Sequence, residues 1–342
     1  MPVGTRASVK TMPQDELENI DSRLILANTY HLYLRPGHQL IAAQGGLHAF
    51  TSWPHAILTD SGGFQIYSLS SLRKITEEGV RFRSHIDGAQ HFLTPEGVME
   101  IQRALGADIV MAFDECPALP STRAAMEESV ALTGRWARRC LSVPLQEHQH
   151  FFAIVQGGLE LDLRLRSLEE HLELEQKMRQ PISGLAIGGL AVGERAEERE
   201  ELCINLLPHF PSDRPRYLMG VGRPWDILMA IKSGVDMFDC VLPCRNARNG
   251  QALTSMGPVN IKNAIYATDQ GKLDPDCSCK VCQRYTRAYL RHLMMSGEYL
   301  GGQLLTHHNL SFYREITRKA RQAIFADQFD EFLNKFYKSY FR

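Results

Sequence analysis

Seven times between residues 23 and 241 the chain runs through a short apolar stretch: "RLILANT" (23–29), "HAILTD" (55–60), "ADIVMAFDE" (107–115), "FFAIVQG" (151–157), "SGLAIGG" (183–189), "RYLMGVG" (216–222) and "VDMFDCV" (235–241). Most are separated by helical patterns such as "PWDILMAIKSG" and "RAEERELCINLL". Nearly continuous apolar strands alternating with helices describe a parallel sheet covered on both faces. An eighth candidate is "MPVGT" at the start, followed by a helix near "PQDELENI". Eight such repeats predict a (β/α)8 TIM barrel with a first strand that looks truncated. A doubly wound open sheet is the rival, but "IGGLAVGE" lacks the G-x-G-x-x-G spacing of a dinucleotide site.

Two segments break the rhythm. "VRFRSHIDGAQHFLT" (80–94) reads as an inserted hairpin turning at Asp87-Gly88. Thr94 and Pro95 then open the next helix as N-cap and first-turn residue. Beyond Asp239 the chain passes into hairpin-like "GQALTSMGPVNIKN", a cysteine cluster and a helical tail. The expected division is a catalytic barrel over residues 1–250 and a metal-binding subdomain with C-terminal helices over 251–342.

The strand ends carry the chemistry. Asp60, Asp114, Gln156, Gly188–Gly189 and Asp239 each close an apolar run, and in a barrel those ends surround one mouth. A single aspartate there is an ordinary turn-former. Three carboxylates and an amide at the same relative position point to a site. Two carboxylates on one substrate can divide the work, one attacking an electrophilic carbon and the other moving a proton. At an anomeric carbon this is the retaining glycosidase scheme.

"DCSCKVC" sets Cys277, Cys279 and Cys282 in a C-x-C-x2-C array, with His307 and His308 about 25 residues on. Three thiolates and one imidazole complete a closed tetrahedral zinc site, which makes the metal structural. Cys240 and Cys244 then need no metal; Cys240 reads as a small packing residue and Cys244 as a loop residue. Eight cysteines in all, three of them clustered, fit a reducing compartment, and the cytoplasm is the expected location. No apolar run approaches the ~20 residues of a membrane span.

The net charge of −1 conceals an asymmetry: residues 240–342 carry 15 lysines and arginines against 8 acids, leaving 23 against 31 in residues 1–239. A basic C-terminal third suits an anionic polymer. Arg245 and Arg248, just past Asp239, read either as a surface ion-pair set or as groups that hold phosphates or base edges.

Taken together, "LTDSGGFQ", "FDEC", "IVQGG", "IGGLAVGE", "LMGVG", "FDCVLPCRNARNG" and "CSCKVC…HHN" closely resemble the tRNA-guanine transglycosylases, in collinear order over nearly the whole chain. The resemblance implies a (β/α)8 barrel with a zinc-binding subdomain. It implies exchange of the wobble guanine in GUN-anticodon tRNAs (those for Asp, Asn, His and Tyr) for a modified base. It makes Asp239 the nucleophile on the ribose and Asp60 the general acid/base. Asp114 and Gln156 would bond the purine edge, the Gly189 amide its exocyclic oxygen, and the Leu190 carbonyl the aminomethyl substituent. Phe64 and Met219 would sandwich the ring, with Ser61 in the same loop. Arg245 and Arg248 would read the flanking uridines. Cys277, Cys279, Cys282 and His308 would hold one structural zinc ion.

Cys116 and Val192 resemble the bacterial form, which takes 7-aminomethyl-7-deazaguanine; queuine is the alternative base. A non-catalytic RNA-binding subunit on the same fold is the other reading, and a zinc hydrolase a third. The family implies a homodimer, with Tyr285, Tyr289 and His292 where it has an aromatic dimer cluster, although a helix core stripe gives the same spacing. Cys244 stands where the family usually has threonine. The family also has residues ahead of "MPVGT", which is why the first strand is expected to be short.

Overall fold

The computed structural model describes residues 1–69, 73–117 and 120–341. Eight strands form one parallel sheet in sequence order: Val3–Gly4, Leu24–Ala27, Ala56–Thr59, Ile109–Met111, His150–Val155, Gly184–Ile187, Arg216–Leu218 and Met237–Phe238. A parallel bridge from Pro2 to Cys240 joins the last strand to the first, and the Met1 amine donates to the Phe238 carbonyl at 2.7 Å. The expected barrel is therefore present, closed at a seam where the first strand is two residues long. The strands are apolar on both faces because helices wrap the outside while side chains fill the inside. Val110, Ala153, Ile154, Val155, Leu185, Ala186 and Tyr217 are all fully buried.

Local chemistry sets the connections. In the helix Pro95–Leu105 the Thr94 hydroxyl accepts from the Gly97 amide at 3.1 Å, Pro95 sits in the first turn, and Gly106 ends the helix at φ +71°. A residue with a Cβ is disfavoured at that last position, and a cap like Thr94 contributes about 1 kcal/mol. Val98, Met99, Ile101 and Leu105 form the stripe that faces the core.

The inserted hairpin is a three-stranded antiparallel sheet, Arg73–Thr76, Gly79–Arg83 and Gln90–Leu93. Its first strand was not expected. The second hairpin, Gln251–Thr254 with Gly257–Asn260, matches expectation. Around it, Ala247, Ala252, Ile261, Val281, Leu290, Leu293 and Leu305 build a separate apolar cluster. The long helix Tyr299–Phe325 spans from this cluster back toward the barrel. Its buried Asn309 fastens it there, donating to the Pro243 and Gln251 carbonyls at 3.0 Å each and accepting from the Leu253 amide at 2.9 Å. Among the described residues no helix is long and apolar enough to cross a membrane.

Candidate active site and metal centre

Each expected strand-end residue lies just past the carboxyl end of a barrel strand, so all face one mouth. Asp60 follows Ala56–Thr59 and is buried. Its carboxylate accepts from the Thr29 amide at 2.8 Å and from the Asn28 side-chain amide. Burial pushes the Asp60 carboxyl up to about 6; the donors from Asn28 and Thr29 pull it down, and the charge of Asp239 adds to the rise. A carboxyl poised there can both give and take a proton near neutrality.

Asp239 follows Met237–Phe238 and is half-buried. One oxygen, Oδ1, accepts from the Tyr217 phenol at 2.5 Å and from the Gly220 amide at 2.8 Å. Burial and the neighbouring Asp239 charge hold the Tyr217 phenol well above its ordinary range, and Asp60 adds to it, so this hydroxyl stays protonated and donates. With Oδ1 held by two donors, the carboxylate is fixed in orientation and Oδ2 takes no donor among the described residues. The Tyr217 phenol thus lies within electrostatic reach of both expected catalytic carboxylates.

On the strand next to that of Asp60, Asp114 bridges two neighbours. The Ser61 hydroxyl donates to its Oδ1 at 3.2 Å and Gln156 Nε2 donates to its Oδ2 at 2.7 Å. Burial raises Asp114 to about 6 against the pull of Gln156 and Ser61. Gln156 is fully buried and its Oε1 has no partner. A buried acceptor left open is costly unless a ligand supplies an N–H. Gly189, at φ +64°, lies so close that a Cβ there would stand 2.3 Å from that Oε1. Glycine is what leaves the acceptor accessible. Leu190 is buried beside it, and Cys116 and Val192 are half-buried.

Phe64 lies 46% exposed on the helix Gly63–Leu69, and Met219 packs partly against the barrel core. Arg245 is exposed on the helix Leu242–Arg248, while Arg248 donates to the Cys244 carbonyl at 3.0 Å. Cys244, expected in a loop, is instead buried within this helix, because Pro243 starts a helical turn directly after the strand. Cys240 is the packing residue expected: a Cβ on Gly222 would overlap its sulfur.

Sequence reasoning missed Asn28, Thr29 and Tyr217. Asn28 was legible, since it ends the run "RLILAN" by the same rule that marked Asp60. Tyr217 was not, since an aromatic inside an apolar strand looks like core.

The metal-ligand set converges. The donor atoms of Cys277, Cys279, Cys282 and His308 all lie within 4.8 Å of one another. His308 Nδ1 stands 3.3 Å from the Cys282 sulfur and 3.6 Å from that of Cys279. A zinc tetrahedron with bonds of about 2.0–2.3 Å has edges near these lengths. His308 Nε2 lies 2.9 Å from the Leu253 carbonyl, which places its proton there and leaves Nδ1 as the lone-pair donor. His307 turns away, its Nδ1 3.0 Å from Glu16 Oε2. The donor chemistry fits a closed structural zinc site.

The model of the family described as queuine tRNA-ribosyltransferase matches residues 1–342. A queuine tRNA-ribosyltransferase of Halothermothrix orenii is 52% identical over 340 residues, 99% of this chain and 90% of the relative. Those of Ruminiclostridium cellulolyticum and Fusobacterium nucleatum are each 52% identical over 341 residues, with the same coverage. With a match over its whole length and relatives at this identity, the chain belongs to the queuine tRNA-ribosyltransferase family.

Proposed function

We propose that the chain is a tRNA-guanine transglycosylase that works by double displacement through a ribosyl ester on Asp239. Asp239 attacks C1′ of the wobble nucleotide as the bond from C1′ to the guanine nitrogen breaks. Protonated Asp60 gives its proton to the departing base. The ester keeps the RNA attached while the bases exchange. Asp60, now ionised, takes the proton from the ring nitrogen of the incoming base, which attacks C1′ and frees Asp239. One glycosidic bond is broken and one made, so no nucleoside triphosphate is needed.

The observation that carries this reading is the contrast between the two carboxylates. Asp60 is buried and raised to about 6, which suits proton transfer. Asp239 is half-buried, with Oδ1 pinned by Tyr217 and Gly220, which suits in-line attack. Asp114 and the open Oε1 of Gln156 offer two acceptors and suit the donor edge of a guanine-like base. Phe64 and Met219 would stack on its faces. Ser61 orients Asp114, and the Gly189 amide would donate to the exocyclic oxygen.

Cys116 and Val192 support 7-aminomethyl-7-deazaguanine over bulkier queuine, with the Leu190 carbonyl as acceptor for the amine. Arg245 and Arg248 would contact the uridines around the exchanged base in GUN-anticodon tRNAs. Residues 1–250 would act as the catalytic unit and 251–342 as the metal-binding unit. Zinc on Cys277, Cys279, Cys282 and His308 would hold the second apolar cluster together. A homodimer in the cytoplasm is the proposed working form. Tyr285, Tyr289 and His292 support the dimer, since their rings stack at 5.6 and 6.4 Å and Tyr289 is exposed.

The deciding experiment incubates the protein with GUN-anticodon tRNA and labelled guanine, then compares the aminomethyl base with queuine. Incorporation of guanine and preference for the aminomethyl base support the reading. No incorporation by the wild type would overturn it.

A further inference from the structure

The three-stranded sheet beside the mouth has two unlike faces. Residues paired across strands share a face. Ile75, Val80 and Leu93 form one row, with Arg73, Phe82 and His91 in the next on the same side, although Arg73 and Ile75 on the first strand are exposed. Val80, Phe82 and Leu93 are buried. This face seats on the segment that holds Asp60: the Tyr30 and Tyr33 hydroxyls lie 2.9 Å and 3.0 Å from ring nitrogens of His85 and His91. Tyr30 is two residues beyond Asn28.

The outward face carries Lys74, Arg81 and Phe92 in one row, with Arg83 and Gln90 in the next. All five are exposed. Lys74 stands directly opposite Arg81, a like-charge pairing that destabilises a sheet. Among the described residues no carboxylate comes within 4.0 Å of Lys74, Arg81 or Arg83 to relieve it. Glu78 in the adjoining turn feels Arg81 without pairing to it, and Glu77 is engaged by Arg135. The Arg81 guanidinium lies 4.5 Å over the Phe92 ring, so a flat cationic surface is layered on an exposed aromatic. A lysine on an edge strand guards against aggregation, but Arg81 is on the central strand, where no edge needs guarding. Unpaired cations with an exposed aromatic are the make-up of a platform for nucleic-acid backbone.

We infer that this outer face is a second tRNA-binding surface, on which Lys74, Arg81 and Arg83 hold phosphates of the strand leading to or from the exchanged nucleotide. The inference rests on the proposed function for its choice of RNA as partner. Phosphates would also relieve the Lys74–Arg81 opposition, so the surface is strained when free and satisfied when RNA is bound.

The test measures binding of full-length tRNA across a series of potassium chloride concentrations, for wild type and for the variant Lys74→Gln/Arg81→Gln/Arg83→Gln. The slope of log affinity against log salt should become shallower by about 2, as three phosphate contacts are lost at ~0.7 each. Affinity should fall at least 10-fold at low salt. KM for the free base and kcat at saturating tRNA should hold, and the melting temperature should equal or exceed that of wild type. If the triple variant melts lower, Arg83→Gln alone, which faces no cation, should still reduce the slope by ~0.7. Unchanged affinity and slope in a variant that melts like wild type overturns the inference, leaving the face to an acidic protein partner. Wild type that binds tRNA through these three cations yet exchanges no base would sustain the platform and overturn the exchange reading instead.

Discussion

The phenol of Tyr217 donates to Oδ1 of Asp239 at 2.5 Å, from the strand beside the one that Asp239 terminates. The contact ties the orientation of a surface-accessible carboxylate to a side chain fixed in the barrel interior.

Tyr217→Phe removes one of two donors to Asp239 and leaves the Gly220 amide. A hydrogen bond to a charged group is worth about 1.5–3 kcal/mol, and each 1.4 kcal/mol is tenfold in rate. Steady-state exchange should show kcat reduced about 10- to 100-fold with KM for tRNA nearly unchanged. An equal loss in both would mean that Tyr217 supports the fold rather than the nucleophile.

Asp60 and Asp114 make the stability pH-dependent with a negative sign. Their folded values, about 6, exceed the ordinary 3.8, so between these limits the unfolded chain binds fewer protons than the folded one. Stability from these groups is full below about pH 4, falls as pH rises toward 6 and stays reduced above. Asp60→Asn should therefore melt higher than wild type at pH 7.5, with the gap closing by pH 4, while exchange activity is lost. Differential scanning fluorimetry across pH checks it; a gap that widens in acid contradicts it.

Gly189→Ala puts a Cβ 2.3 Å from the open oxygen of Gln156, at a φ of +64° that alanine disfavours. KM for the free base should rise at least 100-fold while tRNA affinity holds. Competition binding with guanine measures the first and filter binding the second.

Cys279→Ser should lower zinc from one ion per chain to none and lower the melting temperature, because a metal on this Cys3His set would fasten the cluster around Val281 and Leu305. His307→Ala should retain the ion, since that ring faces Glu16. Metal analysis of both purified variants decides between the two histidines.

The barrel was legible because its strands are short apolar runs with polar ends, a pattern that survives without knowledge of tertiary contacts. The cysteine cluster was equally plain, since ligand spacing is local. What stayed hidden depends on pairing or direction. "RKIT" (73–76) has two cations and no inward apolar alternation of its own, and it becomes a strand only because Gly79–Arg83 pairs with it. The roles of Tyr217 and Thr29 rest on where a phenol and a main-chain amide point, which no periodicity encodes. Cys244 was misplaced because "LPC" after a strand reads as a turn, whereas Pro243 opens a helix.

The central claim is that Asp239 carries the ribose while Asp60 handles the proton. The direct measurement mixes GUN-anticodon tRNA with wild type, Asp239→Asn or Asp60→Asn and resolves the products on a denaturing gel. Wild type should give a protein–tRNA band that is removed by excess incoming base, and Asp239→Asn should give none while still binding tRNA under native conditions. A band of wild-type intensity from Asp239→Asn would contradict the account.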